Sequence, residues 1–168
     1  MLFQGEEWGA STPFLYFTAH DDLELGRRIS EGRRREFANF GWDPMAVPDP
    51  QSAGSFERSR LRWAERMEPP HAEMLQWHRA LIALRRQQPS LRDGDYPSVQ
   101  VRYSEAAQQL VVQRGPVWIV CNLADCTASI DVPVAAAMLL ASDAATQRIG
   151  DGVLLPPESV AIFAVPPR

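Results

Sequence analysis

Asp93-Gly94-Asp95-Tyr96-Pro97-Ser98-Val99-Gln100-Val101-Arg102-Tyr103 marks the point at which the periodicity of this sequence changes. On its N-terminal side Met74, Trp77, Leu81 and Leu84 recur at three- and four-residue spacing, and Leu75 and Ile82 widen the stripe. That spacing predicts an amphipathic helix over residues 70–88. Pro69 and Pro70 suit its start, Glu73 its positive end and Arg85-Arg86 its negative end, and Pro89 stops it. On the C-terminal side the period drops to two, with Val99, Val101 and Tyr103 alternating with polar partners. Candidate strands cover 97–103, 109–114, 116–123, 127–132, 136–141 and 158–165, and the continuous apolar run from Pro116 to Leu123 suits a central strand. Short strands so closely spaced predict an antiparallel sandwich. The chain therefore divides near residue 92 into loops plus a helix, then a small all-β domain.

Working outward, Met1-Leu2-Phe3 is apolar from the first residue, where a domain usually begins with a polar, frayed end. A buried strand that starts at Met1 is the expectation. Residues 10–25 carry Phe14, Tyr16 and Phe17, then His20-Asp21-Asp22, without a clear period, and read as a long loop. A short helix is expected within 22–39, with Asp21 or Asp22 as N-cap and Glu24 near its positive end. Pro44, Pro48, Pro50 and Gly54 make 41–54 a loop.

The 168 residues are 45 % apolar, enough for a real core and against wholesale disorder. Their 21 acidic and 17 basic side chains give a formal charge of −4, which excludes a surface built to neutralise phosphates, so no nucleic-acid partner is expected. Arg33-Arg34-Arg35, with Arg27 and Arg28, sit among Glu24, Glu31 and Glu36 and read as an ion-paired helix face. Cys121 and Cys126 lie in an apolar stretch and read as reduced core thiols. No basic segment precedes an apolar run, and no run reaches the ~18 apolar residues that a membrane span needs. A cytoplasmic protein without membrane partners is expected. No residue pattern calls for a metal or other cofactor.

Several segments resemble those of one enzyme family. A strand ending in Gly5-Glu6-Glu7-Trp8-Gly9, a helix reading Leu81-Ile82-Ala83-Leu84-Arg85-Arg86 and a β-sandwich directly after it resemble the end of an α-amylase-family enzyme. Within that family, Phe3 to Phe14, Tyr16-Phe17-Thr18, Glu31 to Phe37, Phe56-Glu57-Arg58-Ser59, Leu61-Arg62-Trp63 and Trp118 to Leu123 resemble the malto-oligosyltrehalose trehalohydrolases. The resemblance implies an α/β barrel remnant (last strand, long loop, last helix) over residues 1–92 and an antiparallel β-sandwich over 93–168, mixed α+β in all. It also implies hydrolysis of the α-1,4 bond beside the terminal trehalose of maltooligosyl trehalose, which releases trehalose. The nucleophile, general acid and supporting aspartate of the family sit on earlier barrel strands, so no residue here inherits those roles and the chain alone is expected to be inactive. The Trp77-to-Leu84 stripe would cover the last barrel strands, and without them it would be an exposed apolar patch.

The residues themselves offer no catalytic pair. Glycoside hydrolysis needs two facing carboxyls, ~5–5.5 Å apart for retention and ~6.5–9.5 Å for inversion. Glu6 and Glu7 are adjacent, and neighbouring side chains on a strand point to opposite faces; Asp21 and Asp22 meet the same objection. Substrate-contact candidates are Glu7, Trp8, Tyr16 and His20. Glu7 would stand on the C-terminal rim of the barrel, where sites on that fold lie; one of Glu6 and Glu7 would otherwise make a local cap or ion pair. Trp8 and Tyr16 combine a ring with a polar handle and suit either sugar stacking or packing, whereas packing suits Phe14 and Phe17 better. His20 is a loop histidine placed to meet substrate. His71 and His78 lack a third ligand and read as helix-surface or partly buried residues. The alternative function is a non-catalytic β-sandwich that binds glucan or assembles with a separately encoded barrel chain.

Overall fold

The computed structural model describes residues 1–166. They form two compact units, Met1–Gln76 and Trp77 onward.

The second unit is a β-sandwich. Strands β1 (Val99–Ser104), β2 (Gln109–Arg114), β3 (Val117–Asn122), β5 (Ala137–Ala141) and β8 (Ser159–Ala164) form one antiparallel sheet in the order β1-β2-β3-β8-β5. Strands β4 (Ala128–Asp131), β6 (Gln147–Ile149) and β7 (Gly152–Leu155) form a second in the order β4-β7-β6. The run from Pro116 to Leu123 supplies the middle strand of the larger sheet, as its unbroken apolar character predicts. Val120 lies opposite Ala161, and Trp118 opposite Phe163. Their shared face meets Ile130, Val153 and Leu155 of the smaller sheet to make the main core. The alternate residues Val117 and Ile162 point the other way and are covered by Leu84 together with Leu81, Leu91, Ile119, Leu140 and Ala164.

Leu81 and Leu84 belong to helix α3 (His71–Gln87), which begins and ends where the stripe and Pro89 predict. The expectation that its apolar stripe would lie bare needs correcting. Leu84 is 8 % exposed because the outer face of the sheet receives it, while Met74 and Ile82 stay exposed. Sequence periodicity also missed the β6–β7 hairpin. Its strands are only three and four residues long, and Gly150 turns it with φ 54°. Cys121 is half-buried and its thiol pKa is pushed up by burial, but Cys126 is exposed, so only one of the two thiols approaches the core reading.

Asn122, fully buried at the end of β3, ties the two sheets' connections together. Its Nδ2 donates to the carbonyls of Cys126 (2.8 Å), Pro156 (2.8 Å) and Leu155 (3.2 Å), and its Oδ1 accepts from the Ala124 amide.

In the first unit, α1 (Leu23–Ala38) starts at Asp22, whose carboxylate accepts from the amides of Glu24 and Leu25. Helix α2 (Ala53–Arg58) is capped by Ser52. The strand expected at Met1 is absent. Residues 1–5 pair with no strand, and Glu6–Trp8 form a single 3₁₀ turn. An isolated strand has no ladder to satisfy its backbone, and the first unit supplies no neighbour for one. Glycine is required at position 5, where φ is 85° and a Cβ would come within 2.7 Å of the Ala10 Cβ.

Two stability outcomes follow. Asn122→Ala, which removes the amide bonds to the Cys126, Leu155 and Pro156 carbonyls, should lower unfolding stability by ~2 kcal/mol or more in a denaturant titration. Gly32→Ala, in the interior of α1 with nothing within 4 Å of the added Cβ, should raise it by ~0.5–1 kcal/mol.

Candidate functional site

A wide concavity lies in the first unit. It is a cleft of about 790 Å³ between the 17–21 segment, one face of α1 and residues 49–56. Leu23, Gly26, Arg27, Ser30, Glu31 and Arg34 contribute from α1, at spacings of three and four that place them on one helical face. That stripe was present in the sequence. It mixes charged with small residues, so a search for apolar periodicity passes over it. The cleft floor includes Phe17 and Phe56, whose rings meet edge-on at 5.3 Å.

A polar clasp fixes the walls. Ser30 Oγ donates to Asp49 Oδ1 at 2.6 Å, and Asp49 also accepts from the Gln51 amide at 3.0 Å. The Ser30 hydroxyl, then the Gln51 N–H, hold the Asp49 carboxyl below its ordinary pKa, against the opposing effect of burial. The Gln51 side chain crosses back to the 17–21 segment: its Nε2 donates to Thr18 Oγ1, and its Oε1 accepts from the His20 amide at 3.3 Å. Gly26 makes room for this crossing, since a Cβ there would lie 3.0 Å from Gln51 Oε1.

Of the two guanidiniums of the cleft, Arg27 is bonded and Arg34 only loosely paired. Arg27 bonds Glu24 (2.9 Å) and Glu31, while Arg34 stands 3.8 Å from Asp49. Arg27, with Arg28, draws the Glu24 pKa down to about 2. The ion-paired reading of this helix therefore holds, although Arg33 does something further. Besides a 3.7 Å contact with Glu36, its guanidinium lies over the rings of Tyr16 (4.6 Å) and Phe37 (4.8 Å).

The four sequence candidates are not brought together. His20 lines the cleft, whereas Glu7, Trp8 and Tyr16 do not. Glu7 is half-buried in the 3₁₀ turn, and its neighbour Glu6 makes the local cap, accepting from the Phe3 amide at 2.7 Å. Trp8 is 1 % exposed and packs on Trp63 at 5.3 Å, so its ring serves packing and offers no face to a sugar. Its carbonyl accepts from His71 Nδ1 at 2.8 Å, which explains why His71 is half-buried. Tyr16 is half-exposed beneath Arg33. Phe14 and Phe17 pack as expected, in a ladder from Phe3 through Phe14 and Phe17 to Phe56. Sequence reasoning missed Gln51, Asp49 and Ser30, because contacts between residues 19 to 33 positions apart leave no local pattern. Among the described residues no cluster of three His, Cys, Asp or Glu could hold a metal, and no helix is long and apolar enough to cross a membrane.

Comparison with known proteins places this architecture. A family profile described as a domain of unknown function (DUF3459) matches residues 96–162, the β-sandwich. The crystal structure of a protein described as an alpha amylase from Salmonella typhimurium superposes with a TM-score of 0.76 at 30 % identity, over 96 % of this chain and 27 % of that one. Trehalulose synthase from Pseudomonas mesoacidophila shares the fold, with a TM-score of 0.60 at 17 % identity over 98 % of this chain and 35 % of its own. The chain thus resembles the C-terminal region of α-amylase-family enzymes.

Sequence identity narrows the class. The malto-oligosyltrehalose trehalohydrolase of Rhizobium sp. is 46 % identical over 97 % of this chain, and that of Mycobacterium tuberculosis 42 % over 84 %. Over nearly its whole length the chain is similar to malto-oligosyltrehalose trehalohydrolases. It spans about a quarter of the length of these relatives, 27 % and 24 % respectively.

Acid titration tests the clasp. A carboxyl whose folded pKa is depressed adds stability above its unfolded value, ~3.9 for Asp, and that stability is lost as pH falls through the folded value. Asp49→Asn should therefore weaken the fold at neutral pH and flatten the loss of stability below pH ~4, as read by thermal melts across pH.

Proposed function

We propose that this chain is the C-terminal part of a glycoside hydrolase that cleaves the α-1,4 bond next to the terminal trehalose of maltooligosyl trehalose. The observation that carries this reading is the 46 % identity to a malto-oligosyltrehalose trehalohydrolase over 97 % of the chain. In that enzyme residues 1–92 are the end of a (β/α)8 barrel: Met1 to Gly5 become its last strand once neighbouring strands pair with them, and α3 is its last helix. Residues 93–168 form the C-terminal β domain. The exposure of Leu2, Phe3 and Met74 supports the barrel reading, because these are side chains that a closed barrel would cover. The enzyme works in the cytoplasm, on a soluble glucan.

The catalytic carboxylates come from barrel strands outside this chain. Glu6 bonds the Phe3 amide, and Asp49 bonds Ser30 and Gln51, so both carboxylates serve local structure. Within the active site, His20 meets the sugar from the cleft, Glu7 and Tyr16 stand on the rim, and Trp8 supports the rim through Trp63.

The self-contained core of the second unit favours one other reading. Its two sheets and the Leu81–Leu84 segment close their own apolar faces, as a glucan-binding module, or one that assembles with a separate barrel chain, would require.

The purified chain should release no trehalose from maltooligosyl trehalose. Fused to the preceding region of the Rhizobium relative it should do so, and His20→Ala in that fusion should lower kcat/KM by roughly tenfold or more. Hydrolysis by the chain alone, or an inactive but folded fusion, would sink this reading. Activity restored by adding the barrel region as a separate polypeptide would favour the assembly reading.

A further inference from the structure

We propose that the α1 cleft is a binding site for a neutral, polyhydroxylated ligand (a short glucose oligomer) and that Gln51 is the residue that positions it. The choice of glucose units rests on the trehalohydrolase reading; the requirement for a neutral polyol rests on the cleft itself.

A cleft of about 790 Å³ falls within the roughly 300–1,000 Å³ of ordinary ligand pockets. Its lining excludes the other ligand classes one after another. An anion would meet the carboxylates of Asp21, Glu31 and Asp49, while Arg27 is already bonded to Glu24 and Glu31 and Arg34 is loosely paired with Asp49. A wholly apolar ligand would cover His20, Gln51 and the charged rim without replacing their contact with water, at a cost for each group. A sugar meets both demands. Its C–H faces pack on Phe17 and Phe56, and its hydroxyls donate to carboxylates and accept from guanidinium and amide N–H groups.

Gln51 is suited to the positioning role because its amide is held but not exhausted. One N–H goes to Thr18 Oγ1 and one lone pair of Oε1 to the His20 amide. An amide offers two donors and two acceptor sites, so one of each remains for a pair of ligand hydroxyls. Contact with Gly26, tight enough that a Cβ would lie 3.0 Å from Oε1, fixes the amide against α1. Ser30 and Asp49 anchor the backbone that carries it.

Calorimetric titration of the 168-residue chain with maltotriose, trehalose and glucose 6-phosphate tests the proposal. The two neutral sugars should bind saturably, and the phosphorylated one at least about tenfold more weakly. Gln51→Ala should weaken maltotriose binding by about tenfold or more, and Gly26→Ala, which displaces the amide without removing it, should do the same. Arg34→Gln provides a variant with little risk to folding, since Arg34 is exposed and its ion pair is loose; a loss of about threefold is expected. Circular dichroism confirms that each variant is folded, and if Gln51→Ala is not, Arg34→Gln and Gly26→Ala decide. Absence of saturable sugar binding by the folded chain would overturn the proposal, as would tighter binding of the phosphate or unchanged affinity in the folded variants. Trehalose release by the fusion enzyme is scored separately. A fusion that stays active while the cleft binds no sugar removes the cleft and leaves the trehalohydrolase reading standing.

Discussion

The larger sheet of the β-sandwich has to be covered on both faces, and most of the architecture of the second unit follows from that constraint. β8 is apolar at Ala161, Ile162 and Phe163, three consecutive positions that a strand sends to alternating sides. One cover is the β4-β7-β6 sheet, which meets Ala161 and Phe163. The other is the C-terminal half of α3, whose Leu84 meets Ile162 and Val117. A helix that ended two turns earlier would leave Ile162 and Val117 in water. The position of Pro89, directly after the last useful turn, thus matters as much to the sandwich as to the helix.

The first unit is built on a different principle. Its long irregular stretch before α1 has no ladder of backbone bonds, and side chains reaching to its backbone amides take the ladder's place. Ser59 Oγ accepts from the Leu15 amide, Gln51 from that of His20, and Glu65 from that of Ser11. Ser55 and Ser59 are buried and also bond to carbonyls, so short helix α2 acts as a polar spine for the segments that cross it. Side-chain bonds of this kind specify positions without requiring a strand, which is how a long loop keeps a defined cleft.

That difference explains what could be read from the sequence. Elements defined by local period were legible: α3 from Met74, Trp77, Leu81 and Leu84, α1 from its Asp22 cap, and six of the eight strands from alternation or apolar runs. The β6–β7 pair is too short to show a period, and its partner β4 lies some twenty residues away. The supposed strand at Met1 shows the opposite failure, since apolar character was legible but a strand also needs a neighbour. At the candidate site only His20 was found, as a loop histidine. Gln51 and Asp49 gain their roles from partners at positions 18, 20 and 30, which no spacing rule connects.

Charge pairing on α1 then decides what the cleft can accept. Had Arg27 and Arg34 been free, their five-donor forks would make the cleft an anion site. Glu24 and Glu31 flank Arg27 at three- and four-residue spacing, and Asp49 is brought to Arg34 by the same loop that delivers Gln51. The exposed ion pairs contribute little to stability. Their placement sets opposite charges side by side along the cleft wall, among directional hydrogen-bonding groups. A glucan is uncharged and rich in hydroxyls, and a site for it gains from donors and acceptors in fixed positions and nothing from a strong field. On the proposed reading of the cleft, the pairing that looks redundant for folding is what would suit this surface to a sugar.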